Sequence, residues 1–161
     1  MTRRPPRAGR RWQCRMCPRL NDGAQRRCGG CGVSRHPTAN AYRQRARKLH
    51  VEIVRPAGTR CFSCGGLVGV QDAHLIGRGQ NRSPAVQWHP DNGAPLCKGP
   101  GSKDCHTAFD EYRIDREALI TRYLGPARWA ALKEAATKRW DHDWLGVISR
   151  LRAALATKEA A

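Results

Sequence analysis

The chain has 161 residues, 40% of them hydrophobic, and its 30 Lys and Arg against 13 Asp and Glu give a formal net charge of +17. The charge points to a polyanionic partner, and with no apolar run long enough for a secretory signal or a bilayer span the expectation is a protein of a reducing compartment, not a membrane protein or a disulfide-stapled secreted one. The eight cysteines fall in two sets of four. In the reducing cytoplasm expected here they serve as thiolate ligands rather than disulfides, and they suggest two small modules whose folds zinc helps to hold.

Residues 1–11, rich in Arg, Pro and Gly, are expected to form a disordered basic tail. A four-cysteine module follows over residues 12–33. Trp12, Cys14, Cys17, Asn21, Cys28 and Cys31 follow the pattern W-x-C-x2-C-x3-N-x6-C-x2-C. This stretch resembles the small zinc fingers of the Ran-binding nucleoporin type. The resemblance implies two crossed hairpins around one structural Zn²⁺ held by the four cysteines, and binding either to single-stranded RNA or to proteins, ubiquitin among them. Arg15, Arg19, Arg26 and Arg27 favour nucleic acid, because guanidinium groups pair with phosphates and base edges and stack on bases. A plain zinc ribbon acting as a structural cap is the alternative.

Residues 34–59 read as a basic helical linker, with Thr38 or Asn40 capping a helix that runs from Ala41 to Leu49 and presents Arg43 and Arg47 to nucleic acid. Of the 30 basic residues, 16 lie in residues 1–60 against only Asp22 and Glu52, which leaves +14 there and +3 in residues 61–161. A segment charged in this way condenses on phosphates with release of counterions. Binding to acidic proteins or lipid surfaces is the competing use of such a segment.

Residues 60–112 carry the second constellation: Cys61 and Cys64, then His74, Asn92, Cys97, Cys105 and His106. Two close thiol pairs that can meet on one metal bracket a histidine, an asparagine and a second histidine. The segment resembles the HNH endonuclease family, whose zinc-stapled members run CxxC, a histidine followed by two aliphatic residues, N-x-x-x-L-C, and C-H. The resemblance implies a small α+β fold with a ββα-metal core: a strand ending near His74, a second strand around Asn92 and a helix carrying His106, stapled by a second structural Zn²⁺ on Cys61, Cys64, Cys97 and Cys105. It further implies that His74 is the general base toward the attacking water, that Asn92 ties the loop together, and that His106 binds a catalytic divalent cation, Mg²⁺, Mn²⁺ or Ni²⁺. A histidine suits the first task because its ordinary pKa of about 6.5 leaves a basic nitrogen near neutral pH. Asp110 lies four residues beyond His106, on the same helical face, and is the second candidate ligand. Arg78 and Arg82 follow the base and are candidates for gripping the phosphate.

Two positions depart from the family pattern. Many members carry Asp or His just before the general base as a further ligand, where this chain has Ala73 and Asp72 or Asp110 is the residue that can compensate, and residues 98–104 insert a Gly- and Pro-rich loop between Cys97 and Cys105. The loop is short enough to leave the zinc site intact. His36, His50 and His142 are given no role, and His89, before Pro90, is read as structural.

Residues 113–161 read as helices packing on the core. Asp115 caps one over 116–124, Pro126 opens a second through Trp129, Leu132 and Ala136, and Asp141 or Asp143 begins a third with Leu145, Ile148, Leu151 and Leu155 at helical spacing. Trp129, Trp140 and Trp144 are read as packing residues. The expectation is a divalent-metal-dependent HNH endonuclease acting on nucleic acid, DNA favoured over RNA, monomeric or dimeric, resembling small proteins encoded by phages and mobile elements of high-GC bacteria and so working in the host cytoplasm. Two other classes stay open: a binding protein that keeps the HNH scaffold without catalysis, and an adaptor whose finger captures a protein.

Overall fold

The protein is described by a computed structural model covering residues 11–14, 17, 19–21, 25–31, 34, 37–77, 84–138 and 143–160. Most of the expected basic tail, together with Arg15, Arg78, Arg82, Trp140 and Asp141, therefore lies outside the described residues. The chain divides into two compact units, Met1–Gln44 and Arg45–Ala161. Together they make a small α+β protein with two two-stranded antiparallel sheets and, among the described residues, six helices.

In the first unit, β1 (Trp12–Gln13) pairs antiparallel with β2 (Leu20–Asn21), Trp12 opposite Asn21. A second antiparallel bridge joins Arg27 to Ser34. With so short a sheet, side chains complete the hydrogen bonding. The Trp12 indole donates to the Gln25 carbonyl at 3.0 Å, and buried Asn21 donates to the Arg19 carbonyl at 3.1 Å while accepting from the Gly29 N–H at 3.0 Å. Asn21 thus binds one cysteine-bearing turn to the other, which is a physical reason for an asparagine at that place in the pattern.

Helix α1 (Ala39–Val54) starts in the first unit and ends in the second. Thr38 caps it, its hydroxyl accepting from the Ala41 N–H at 3.3 Å, and the helix runs five residues past the expected end at Leu49. The extension has an apolar cause: Ala46, Leu49, His50, Ile53 and Val54 are buried at helical spacing, while Arg47 and Lys48 face solvent. Arg43 on the earlier part of α1 is exposed as well.

In the second unit, β3 (Val70–Ala73) and β4 (Ala94–Cys97) pair antiparallel with Val70 opposite Cys97 and Ala73 opposite Ala94. β4 starts two residues after Asn92, so Asn92 precedes the strand it was expected to occupy. Between the strands lies a single turn, α2 (Pro84–Gln87), and after β4 comes α3 (Cys105–Asp110). The core joins Val70, Ala73, Leu75, Leu96 and Phe109 to Leu119, Ile120, Leu124, Trp129 and Leu132 of α4 (Arg116–Leu124) and α5 (Pro126–Thr137). Each large apolar side chain buried in this way contributes about 1.5–3 kcal/mol.

The last three helices start where capping chemistry puts them. The Asp115 carboxylate accepts from the Ala118 N–H, Pro126 occupies the first turn of α5, and Asp143 caps α6 (Trp144–Glu159) by accepting from the Gly146 N–H. The apolar face of α6 departs from the expected stripe. Val147, Ile148 and Leu151 are buried, whereas Leu145 is exposed and Leu155 only half-buried. α2 packs on both α5 and α6, which brings the C-terminal helices against the loop between the strands.

Candidate active site and metal centres

Two cysteine tetrads are the groups of three or more metal-ligating side chains that converge among the described residues: Cys14, Cys17, Cys28 and Cys31, and Cys61, Cys64, Cys97 and Cys105, with the sulfurs of each within 4.8 Å of one another. Zinc held by sulfur at about 2.3 Å places tetrahedral sulfurs about 3.8 Å apart. The Cys14–Cys31 and Cys17–Cys28 separations are both 3.5 Å, and Cys64–Cys97 is 3.7 Å. Each tetrad can hold a structural metal ion, and its all-thiol donor set suits zinc.

Backbone geometry prepares the thiolates. The Cys31 backbone N–H, with help from that of Gly30, holds the Cys28 thiol down to about 6 against the effect of burial. In the second tetrad burial pushes Cys97 up, but the Cys105 backbone N–H and the neighbouring thiols outweigh it and bring it to about 6. Burial pushes Cys105 up to about 12. Four thiols in one pocket cannot all ionise against their mutual repulsion, and a divalent cation removes that obstacle.

The second tetrad is built from three elements. Its first turn is closed by hydrogen bonds from Cys61 N to Gly66 O at 2.7 Å and from Gly65 N to Cys61 O at 2.8 Å, with Gly65 at φ 74°. Phe62 N then donates to Pro95 O at 2.8 Å, fastening this turn to β4, which ends in Cys97. The inserted loop folds back through Ser102 N to Gly99 O at 3.2 Å, with Gly99, Gly101 and Asp104 all at positive φ, and so delivers Cys105 to the start of α3.

His74 follows β3, and its ring lies against two others. It stacks on His50, centroids 5.4 Å apart and planes 20° apart, and meets Trp88 edge-on at 5.6 Å. His50 is fully buried; its Nδ1 is 2.8 Å from Asp72 Oδ2 and its Nε2–H donates to the His89 carbonyl at 3.0 Å. His50, to which the sequence reading gave no role, thus lies directly against the ring of His74. His89 shapes a turn as read: its Nδ1 accepts from the Asp91 N–H at 3.2 Å.

Asn92 is fully buried. Its Oδ1 accepts from the Ile76 N–H at 2.7 Å, and its Nδ2 donates to the carbonyls of Ile76 at 3.2 Å and Val86 at 3.0 Å. One amide thus ties the segment after His74 to α2. A second clamp comes from Arg116, whose guanidinium donates to the Leu75 carbonyl at 3.0 Å and lies 4.3 Å from the Phe109 ring centre and 4.5 Å from that of Tyr112.

His106, on α3, has Nε2 3.5 Å from Asp110 Oδ2, so the pair shares a face as their spacing indicated. Burial pushes the His106 pKa below its ordinary 6.5, against the opposing pull of Asp110 and of Asp72. Its Nδ1 and Asp72 Oδ1 are buried without hydrogen-bond partners among the described residues. Ala73 is fully buried in the core, on the opposite side of β3 from Asp72. On the first unit Arg19, Arg26 and Arg27 are exposed, and the Arg19 side chain lies over Gly29 and Gly30.

His50, Trp88 and Arg116 escaped the sequence reading of the site, and Asp72, read as a substitute ligand for Ala73, is paired with His50 instead. The burial stripe of α1 carried a signal for His50; nothing local announced the others. No family model matches the chain, no curated protein matches its sequence and no solved structure matches its fold.

Proposed function

We propose that residues 60–112 form a zinc-stapled HNH endonuclease module that hydrolyses DNA phosphodiesters with a divalent cation, and that the N-terminal four-cysteine finger helps it engage nucleic acid. One observation carries this reading. β3, β4 and α3 are gathered around a cysteine tetrad, with His74 at the end of the first strand, Asn92 bridging just before the second and His106 on the helix.

In this reading His74 accepts a proton from the water that attacks phosphorus. Asn92 and Arg116 hold Leu75 and Ile76, and through them the backbone that carries His74. His106 and Asp110 would hold a divalent cation, which when bound would supply Lewis-acid stabilisation of the phosphate and the leaving oxygen. The pair fits such an ion: His106 Nε2 and Asp110 Oδ2 lie 3.5 Å apart on one face of α3, and burial favours the neutral imidazole that ligates metal. Products would carry 5′-phosphate and 3′-hydroxyl ends. Arg43 and Arg47 on the exposed side of α1, with Arg19, Arg26 and Arg27 of the finger, supply phosphate contacts.

A second reading, a binding protein on the same scaffold without catalysis, is favoured by Ala73, which puts a methyl group in the core where a further ligand would help. Incubating supercoiled plasmid with the protein in Mg²⁺, Mn²⁺, Ni²⁺ or EDTA, with a gel-shift lane, separates the two. Metal-dependent nicking or linearisation is expected; retarded but uncut DNA under every metal would replace the first reading by the second.

A further inference from the structure

We propose that His50 is a positioning residue for His74: with Asp72 and Trp88 it forms a buried seat that fixes the plane of the candidate base. The inference rests on the reading of His74 as that base.

Both nitrogens of His50 are committed. Nε2–H donates to the His89 carbonyl at 3.0 Å, so this nitrogen carries a proton, and Nδ1 lies 2.8 Å from Asp72 Oδ2, with one proton held between them. The ring cannot turn over without losing both bonds. On its face rests His74, nearly parallel at 20°, and Trp88 closes the side of both rings, 73° from His74 and 74° from His50. The plane of His74 is therefore defined by a ring that is itself locked. This matters for a base, because its lone pair must point at the attacking water, and a misplacement of about 1 Å costs about a hundredfold in rate.

Gly93 makes the seat possible. A Cβ there would lie 2.4 Å from Val54 Cγ2, 2.7 Å from Asp72 Oδ1 and 2.8 Å from His50 Cε1. The two residues before β4 therefore act together: Asn92 ties down the segment that follows the base, and Gly93 lets the Asp72–His50 pair close beneath it.

An ordinary core histidine would contribute to stability and leave the chemical step alone. The test is single-turnover cleavage of a 5′-labelled duplex in Mg²⁺ by the full chain, after zinc content and circular dichroism have been checked, for wild type, His74→Ala, His50→Gln, His50→Ala with and without imidazole, and Trp88→Leu. His50→Gln should lose about ten- to a hundredfold in maximal rate at unchanged half-saturating concentration. Imidazole should restore part of the rate of His50→Ala by refilling the space. If the His50 variants lose zinc, Trp88→Leu carries the test, with the same fall in maximal rate expected. Wild-type maximal rates in His50→Gln or in Trp88→Leu, beside an inactive His74→Ala, would overturn the seat and leave the base assignment standing. Wild-type protein that cuts under no divalent ion would overturn both.

Discussion

At the scale of single residues, the site depends on how closely three side chains approach one glycine. Gly93→Ala forces a methyl group into buried Val54 and His50 and into the Asp72 carboxylate that His50 holds. Overpacking of this kind costs about 1–3 kcal/mol, so the variant should melt several degrees below wild type in a thermal scan. Asn92→Ala removes one buried amide and strands Ile76 N–H, Ile76 O and Val86 O. At about 1–3 kcal/mol for each unsatisfied group, chemical denaturation should show a loss of about 3 kcal/mol or more. His89 gives a pH dependence whose sign can be worked out. Burial lowers its folded pKa below the ordinary 6.5, and its unprotonated Nδ1 accepts from Asp91 N–H. The unfolded chain therefore binds the proton first, so the contribution is complete above about pH 6.5 and is lost as pH falls toward the folded pKa. A His89→Gln variant should show a flatter fall in stability over that window in denaturant titrations.

The residues that were legible from the sequence are those whose chemistry is rare and whose gaps are short. Cys61 and Cys64, Cys105 and His106, and Cys28 and Cys31 declare themselves in this way. His50 did not, because its partner Asp72 lies 22 residues on and the contact exists only once α1 has docked beside β3.

At the scale of elements, the two tetrads with zinc bound would do the work that a larger core does elsewhere. Cys97→Ser removes a ligand from the tetrad that joins the Cys61–Cys64 turn, β4 and α3. Metal analysis should fall from two zinc ions per chain to one, with loss of cooperative melting in the second unit, because a structural zinc contributes about 10–16 kcal/mol of apparent binding free energy to folding. Retention of two ions would contradict the ligand set. The helices of residues 113–161 could be placed in advance because Asp115, Pro126 and Asp143 mark their starts. The face of α6 could not, since Leu145 lies in the first turn and spacing alone does not say which side of that turn meets α2. For α1, the basic residues up to Lys48 drew attention from the apolar stripe that carries the helix on to Val54.

At the scale of the whole molecule, the net charge of +17 is unevenly spread, with residues 1–60 holding +14 of it. Binding to DNA should weaken steeply with salt. Replacing exposed Arg43 and Arg47 together by alanine should lower the slope of log K against log salt by about 2, while DNA already bound is cut as before. No described helix is long and apolar enough to cross a membrane, in keeping with the polar character of the sequence. The boundary between the two units falls inside α1, at Gln44, where a continuous helix leaves no break in composition to mark it.

The central claim, that His74 is the base of a phosphodiester hydrolase, is met most directly by the single-turnover rate of DNA cleavage in Mg²⁺ for wild type and His74→Ala at equal occupancy of the substrate. Metal-dependent cutting by wild type is expected, with a loss of about a hundred- to ten-thousandfold in the variant and gel-shift affinity and zinc content unchanged. Equal rates for the two proteins, or no cutting by either, would contradict it.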